Sequence, residues 1–199
     1  IQIQRGVGAS TNGMSSFGGS INFKSKSIVN SIKELQFSYG SYNTHRLSIE
    51  YGTGMIDNFA IYGRYSEVNS DGYRYNSMNK SNSFYLSGGL FYTSDMITFT
   101  SFYGKQQNQM AYLATSIDDI KLGPKTNYLS KDEWDDFKYM FNSVSYTKIA
   151  SNNITVNMTL YDILLNGDYD LKVQTDMLNY KLKSNYLGYI FNFNYIKDS

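Results

Sequence analysis

Residues 47–68 read LSIEYGTGMIDNFAIYGRYSEV, and the spacing within them decides the fold. Leu47, Ile49 and Tyr51 alternate with Arg46, Ser48 and Glu50, a period of two that puts one set on each face of a β-strand. Residues 52–58 carry Gly52 and Gly54 and form a short connection. After it, Phe59, Ile61 and Tyr65 flank Tyr62, Arg64 and Ser66. The same alternation extends in both directions. Leu35, Phe37 and Tyr39 alternate with Glu34, Gln36 and Ser38. Phe84, Leu86, Leu90 and Tyr92 share a face with Gly88, and Ile97, Phe99 and Tyr103 stand opposite Thr98 and Thr100. Ile154, Val156, Met158 and Leu160 form a further face, as do Leu187, Tyr189, Phe191, Phe193 and Tyr195. Residues 137–148 are β-rich, but Phe141 and Val144 are out of phase there, so a bulge is expected. This makes eight strands, most about ten residues long, where soluble strands more often run about 5–6.

Composition narrows the class. The 199 residues hold 18 basic and 17 acidic side chains, a net charge of +1, which excludes a nucleic-acid binder driven by a broad basic field. An aromatic content of 17% carries too much apolar surface for a disordered chain. With no Cys and one His (His45), disulfides, thiolate catalysis and multi-His metal sites are excluded. No apolar run is long enough for a transmembrane helix. The chain opens at Ile1 with neither an initiator Met nor an apolar leader, and reads as a piece of a longer chain or one trimmed of its export signal. No nucleophile elbow and no carboxylate pair with a partner base is present, so the expectation is a non-enzyme without cofactor.

Two solvents explain strands with one apolar and one polar face. In a soluble sandwich the apolar face is a core; in a membrane barrel it meets lipid while the polar face lines the lumen. Strand length favours the second, since a lipid-crossing strand needs about 9–11 residues. So do the connectors. Those at 52–58, 93–95 and 150–153 are short, and alternate with long polar ones at 69–82, 105–136 and 165–184; only 40–43 breaks the series. Short turns on one side and long loops on the other is the outer-membrane arrangement. Tyr39, Tyr51, Tyr65, Tyr92, Tyr103 and Tyr195 stand near strand ends, as an aromatic girdle would require.

The first 27 residues, IQIQRGVGASTNGMSSFGGSINFKSKS, depart from this pattern. Ile1 and Ile3, then Ile21 and Phe23, read as two short strands bracketing a Gly-rich stretch. A phosphate-binding loop would need a following helix, and none is patterned there. The motif elements Ile3, Arg5-Gly6, Ser10, Asn12-Gly13, Phe17-Gly18-Gly19, Ile21-Asn22 and Lys24 resemble the C-terminal end of the plug domain of TonB-dependent outer-membrane receptors, in the form seen in Bacteroidota. Residues 47–73 resemble the first barrel strands of the same receptors. The resemblance implies an all-β chain, a piece of an antiparallel transmembrane barrel of about 22 strands with a plugged lumen. Residues 1–27 would be the end of the plug and 28–199 the first eight barrel strands. It implies location in the outer membrane of a Gram-negative bacterium, contact with the lipid bilayer and energy supplied by the TonB-ExbB-ExbD complex. It further implies import of a scarce ligand such as a siderophore-iron complex, haem or cobalamin. Rival readings are a SusC-like glycan importer of the same fold, whose plug usually lacks the Arg5-Gly6 pair, and a small closed eight-stranded barrel acting as anchor or adhesin.

Candidate sites follow. The resemblance marks Arg5, Gly6, Gly13, Gly18, Gly19 and Asn22 as the plug motif, with Arg5 pairing a barrel carboxylate such as Glu34 or Glu50. Tyr73, Arg74 and Tyr75 follow the Asp71-Gly72 turn and, with Tyr112 and the lone Trp134, suit an anionic or aromatic ligand; a loop packed on its neighbour is the plainer alternative. Asp132, Glu133, Asp135 and Asp136 are a weak cation candidate without EF-hand spacing, and a solvated loop is the plainer account. His45 reads as a surface residue near a turn. The topology puts the short connectors on the periplasmic side and Tyr73, Arg74 and Trp134 on the outer, ligand-facing side.

Overall fold

The structure, a computed structural model, describes residues 2–5, 19–22 and 26–196, the first two segments as backbone only. β1 (Gln2–Arg5) and β2 (Gly19–Asn22) pair antiparallel, with Ile3 opposite Ile21, in a two-stranded sheet of their own. The two short strands bracketing the Gly-rich stretch are thus as expected.

The main sheet has eight strands: β3 (Ser31–Gly40), β4 (Thr44–Thr53), β5 (Phe59–Ser70), β6 (Asn79–Phe91), β7 (Asp95–Gln109), β8 (Trp134–Ser151), β9 (Ile154–Val173) and β10 (Asp176–Tyr195). Each pairs antiparallel with the next in sequence, without a crossover. β3 and β10 do not pair, so the eight strands are an open wall and do not close into a barrel of their own. A single helical turn and a half, α1 (Ile117–Leu122), lies in the 110–133 connection. No helix among the described residues is long and apolar enough to cross a membrane.

The register sorts side chains onto two faces. One rung runs Phe59, Leu90, Ile97, Tyr146, Met158 and Phe191 across six strands. This apolar face is open: Phe37 is 70% exposed and Phe191 54%. Burial lies on the opposite, polar face, at Ser48, Glu50, Ala60, Tyr62, Ser66 and Ser87. A sandwich core would reverse that assignment. Apolar residues turned out and polar ones turned in is the wall of a membrane barrel. The apolar band also crosses the rungs obliquely. On β3 it is Leu35, Phe37 and Tyr39, yet the rungs of Leu35 and Phe37 reach β10 at Asn185 and Lys183, past its own band of Leu187, Tyr189, Phe191 and Phe193. Strands tilted about 35–45° to the barrel axis produce that slant. Polar groups inside the band partner one another: Ser101 Oγ donates to Asn142 Oδ1 at 2.8 Å, and Asn142 Nδ2 to Asp162 at 3.4 Å.

Two glycines are needed for close approach. A Cβ on Gly88 would stand 2.7 Å from the Phe99 ring, and one on Gly188 would enter the Tyr161 ring, so each aromatic lies flat across its strand partner.

Three expectations are corrected. No bulge interrupts 137–148: Phe141 and Val144 belong to opposite faces of a regular ladder, and the register shift falls between Ile149 and Ser151. Strands run from 10 to 20 residues, well past the band on one end. The long loop expected at 165–184 does not exist, because β9 and β10 continue to a two-residue turn at Gln174-Thr175. Gln174 adopts φ 59° without Gly, Asn or Pro in the turn, which hid it from sequence reading. The alternation also inverts there. Leu164 is the last apolar residue on the outer face of β9, and above it Asn166, Asp168 and Asp170 face outward while Leu165, Tyr169 and Leu171 face inward. An inversion marks the level at which the outer solvent changes from lipid to water.

The faces predict opposite responses to charge. Phe99→Lys should lower the folding free energy in lipid vesicles by about 2–4 kcal/mol, and Gln36→Lys, on the polar face, by less than about 1 kcal/mol. Equal costs in urea titrations would refute the assignment.

Candidate functional site

Three features of the polar face and its loop end stand out. The first is a charge knot where the chain enters β3. Glu50 is 5% exposed, and its carboxylate accepts from Lys26 Nζ at 2.7 Å and from the Tyr62 hydroxyl at 2.8 Å, with Arg64 Nε at 3.6 Å. Lys26 also binds Glu34 at 2.9 Å, and Gln36 Nε2 donates to the other oxygen of Glu34. The two carboxylates hold the Lys26 ammonium well above its ordinary pKa. A buried carboxylate needs such partners, because an unpaired one costs several kcal/mol. Glu34 and Glu50, expected as partners for Arg5, are thus both engaged by Lys26. Arg5, Gly19 and Asn22 are described as backbone in β1 and β2, the side chains of Arg5 and Asn22 and the whole of Gly6, Gly13 and Gly18 lying outside the described residues.

The second is a cap formed by the connections at the loop end. Arg74 donates to the carbonyls of Thr126 (2.9 Å), Ala111 (2.8 Å) and Leu113 (3.2 Å) and to Thr115 Oγ1 (2.5 Å). Its planar fork ties 71–78 to 110–133. Asn127 Nδ2 bonds the carbonyls of Tyr75, Asn76 and Met110, and Asn76 Nδ2 that of Leu129. Glu133 is buried and accepts from the amides of Ser130 (2.5 Å) and Lys172 (3.1 Å), pinning the long loop to β9. The Ser116 and Tyr128 hydroxyls bond the Asp119 carboxylate and lower its pKa. Arg74 is therefore committed to loop architecture, whereas Tyr73, Tyr75 and Tyr112 are exposed. Tyr73 stands edge-on to Tyr42 at 5.4 Å, and Lys125 lies 5.5 Å from the Tyr42 ring centre. Trp134, expected on an exposed loop, opens β8 opposite Gln109 and is half-buried.

The carboxylates at the loop's end do not converge. Asp135 accepts from Asn108 and Asp136 from Gln107 on opposite faces of β8, while Glu133 serves backbone amides. No group of three His or acidic side chains placed to hold a metal occurs among the described residues. His45 stands near the turn as expected, its Nε2 3.2 Å from Asn69 Nδ2.

The third feature was not read from the sequence. On the polar face of β7 to β10, Phe102 and Tyr139 meet at 5.9 Å, and Phe137, Tyr169 and Tyr180 stack in a row at 6.5 and 5.0 Å. Phe102, Phe137, Tyr139 and Leu165 line a cavity of about 390 Å³ with Ser83 and Gln106 at its polar edge. That volume lies within the range of small-molecule sites. The signal was the alternation within 165–182, at odd positions Tyr169 and Leu171 and then at even positions Leu178, Tyr180 and Leu182, two sets that the turn brings onto one face.

No family model and no curated protein matches the chain. Solved structures do. The open form of the ferric-catecholate import receptor Fiu of E. coli K12 superposes with a TM-score of 0.81 at 16% identity, over 99% of this chain and 36% of the receptor. Its closed form gives 0.69 at 17% identity, over 91% and 30%. The siderophore receptor PiuA of Acinetobacter baumannii gives 0.69 at 18%, over 84% and 26%. The fold is that of a segment of these receptors. The chain spans about a third of their length or less.

The cap should loosen when its fork is removed. Arg74→Ala is expected to raise protease cleavage and amide exchange within 110–133, and Arg74→Lys to restore little, since an ammonium cannot span the four acceptors. Unchanged protection in both variants would show that the loops hold without it.

Proposed function

We propose that this chain is part of an outer-membrane receptor that imports a metal chelate bearing aromatic groups, powered through TonB. In this reading residues 1–27 end the plug and 28–199 form the barrel wall, in a receptor resembling those of Bacteroidota. The observation that carries it is the aromatic cavity on the inner face, on strands whose connections at the loop end offer exposed Tyr73, Tyr75 and Tyr112. Catechol rings stack on Phe and Tyr, and their anionic oxygens suit nearby Gln and Ser donors. The likeness to two siderophore receptors supports the same class of cargo. The chemistry is binding and gated passage, with no bond made or broken. A glycan importer is the second reading, because sugars also stack on tyrosine.

The test is uptake by cells carrying the complete receptor as their sole iron-chelate route. Phe102→Ala with Tyr139→Ala should weaken binding of a radiolabelled ferric catecholate by about 5- to 150-fold, from a stacking energy of about 0.5–1.5 kcal/mol for each of two rings. Uptake should vanish without TonB. A variant indifferent to ferric catecholates but impaired for oligosaccharides would favour the glycan reading. Single cysteines in 71–78 and 110–133 should label with an impermeant thiol reagent on intact cells, and those in 54–58 and 92–94 should not. The reverse pattern would invert the topology.

A further inference from the structure

On the outer face, directly above the apolar band, the rung after Tyr65, Phe84, Tyr103, Met140 and Leu164 reads Glu67, Asn82, Lys105, Lys138, Asn166 and Lys183. Lys105 and Lys138 are direct cross-strand partners. Like charges so placed repel and destabilise a sheet. Lys183 stands two strands from Lys138 on the same rung, with neutral Asn166 between. Lys138 and Lys183 are exposed and have no ion pair among the described residues, and Lys105 reaches only the edge of Asp136 at 3.6 Å. Of the acidic groups nearby, Glu67 is taken up by Tyr65 and Asn69 and Asp168 by Asn179, while Asp136 is shared between Gln107 and Lys105. The rung one higher, Lys80, Gln107, Asp136, Asp168 and Lys181, is balanced in charge, so the excess of positive charge is confined to the rung of the three lysines.

We propose that Lys105, Lys138 and Lys183 form a docking site for the phosphate groups of outer-leaflet lipid headgroups. Three observations converge on that occupant. Lys105 and Lys138 stand one outer-face position beyond Tyr103 and Met140, and Lys183 two beyond Leu187, so their ammonium groups reach the headgroup layer when the band is filled by lipid tails, Lys183 from one step higher. The Lys105–Lys138 repulsion is only partly offset by Asp136, 3.6 Å from Lys105, and a doubly charged anion lying across Lys138 and Lys105 relieves the rest. Tyr103, below Lys105, supplies the ring that anchors at an interface. The inference rests on the outward orientation of the apolar face and is independent of the cargo.

The test uses the complete receptor in nanodiscs doped with bisphosphorylated lipid A or its dephosphorylated form. Wild type should retain the phosphorylated lipid preferentially in native mass spectra. Each lysine changed to Gln should lower that preference about fivefold, the triple variant roughly 100-fold. Lys138→Arg should keep it, and Lys131→Gln, in the loop, should leave it unchanged. Inorganic phosphate should not displace the lipid. Equal retention of the two lipids by wild type, undiminished retention by the triple variant, or displacement by free phosphate would each overturn the proposal.

Discussion

An unbroken hydrogen-bonded ladder from β3 to β10 is what the rest of the structure depends on. Backbone polar groups have no partner in hydrocarbon, so a wall in lipid must satisfy them strand to strand. The register runs without a shift from Ser31 to Ile149 and from Ile154 to Tyr195. With the backbone satisfied, each side chain answers to the solvent on its own side. Phe59, Ile97 and Phe191 follow lipid, and Ser48, Glu50 and Ser87 follow the interior. The ladder also lets the inner face divide its work. Near β3 to β5 it is charged, with Glu50, Arg64 and Lys26 tied together; near β7 to β10 it is aromatic and forms a cavity.

Much of this was legible where one face met lipid throughout. Around Leu47, Ile49 and Tyr51 a strict period of two named both strand and face, and all eight strands were found. The reading lost the strands where the outer solvent changes. Beyond Leu164 the alternation inverts, and a scan tuned to one phase reads the inverted segment as loop. The Gln174-Thr175 turn carries none of the residues that mark a hairpin, so nothing restored the strand. The aromatic cavity is hidden in the sequence because Phe102, Phe137, Tyr139 and Leu165 come together only through the pairing of β7, β8 and β9. Arg74 was picked out by residue type, and its committed fork depends on carbonyls of residues 111, 113 and 126, which no local pattern predicts.

The length of the β9–β10 hairpin decides which part of the wall is met first from the long-loop end. Twenty residues at about 3.3 Å each make a strand of about 66 Å. Tilted by about 40°, it rises about 50 Å, twice the apolar band of about 25 Å. Half of the hairpin therefore stands beyond the apolar band as a stiff parapet, braced near its tip, where Glu133 accepts from the Lys172 amide. A large body approaching from the long-loop end touches this rim before anything at the level of the cavity, whose lining lies lower on the same strands.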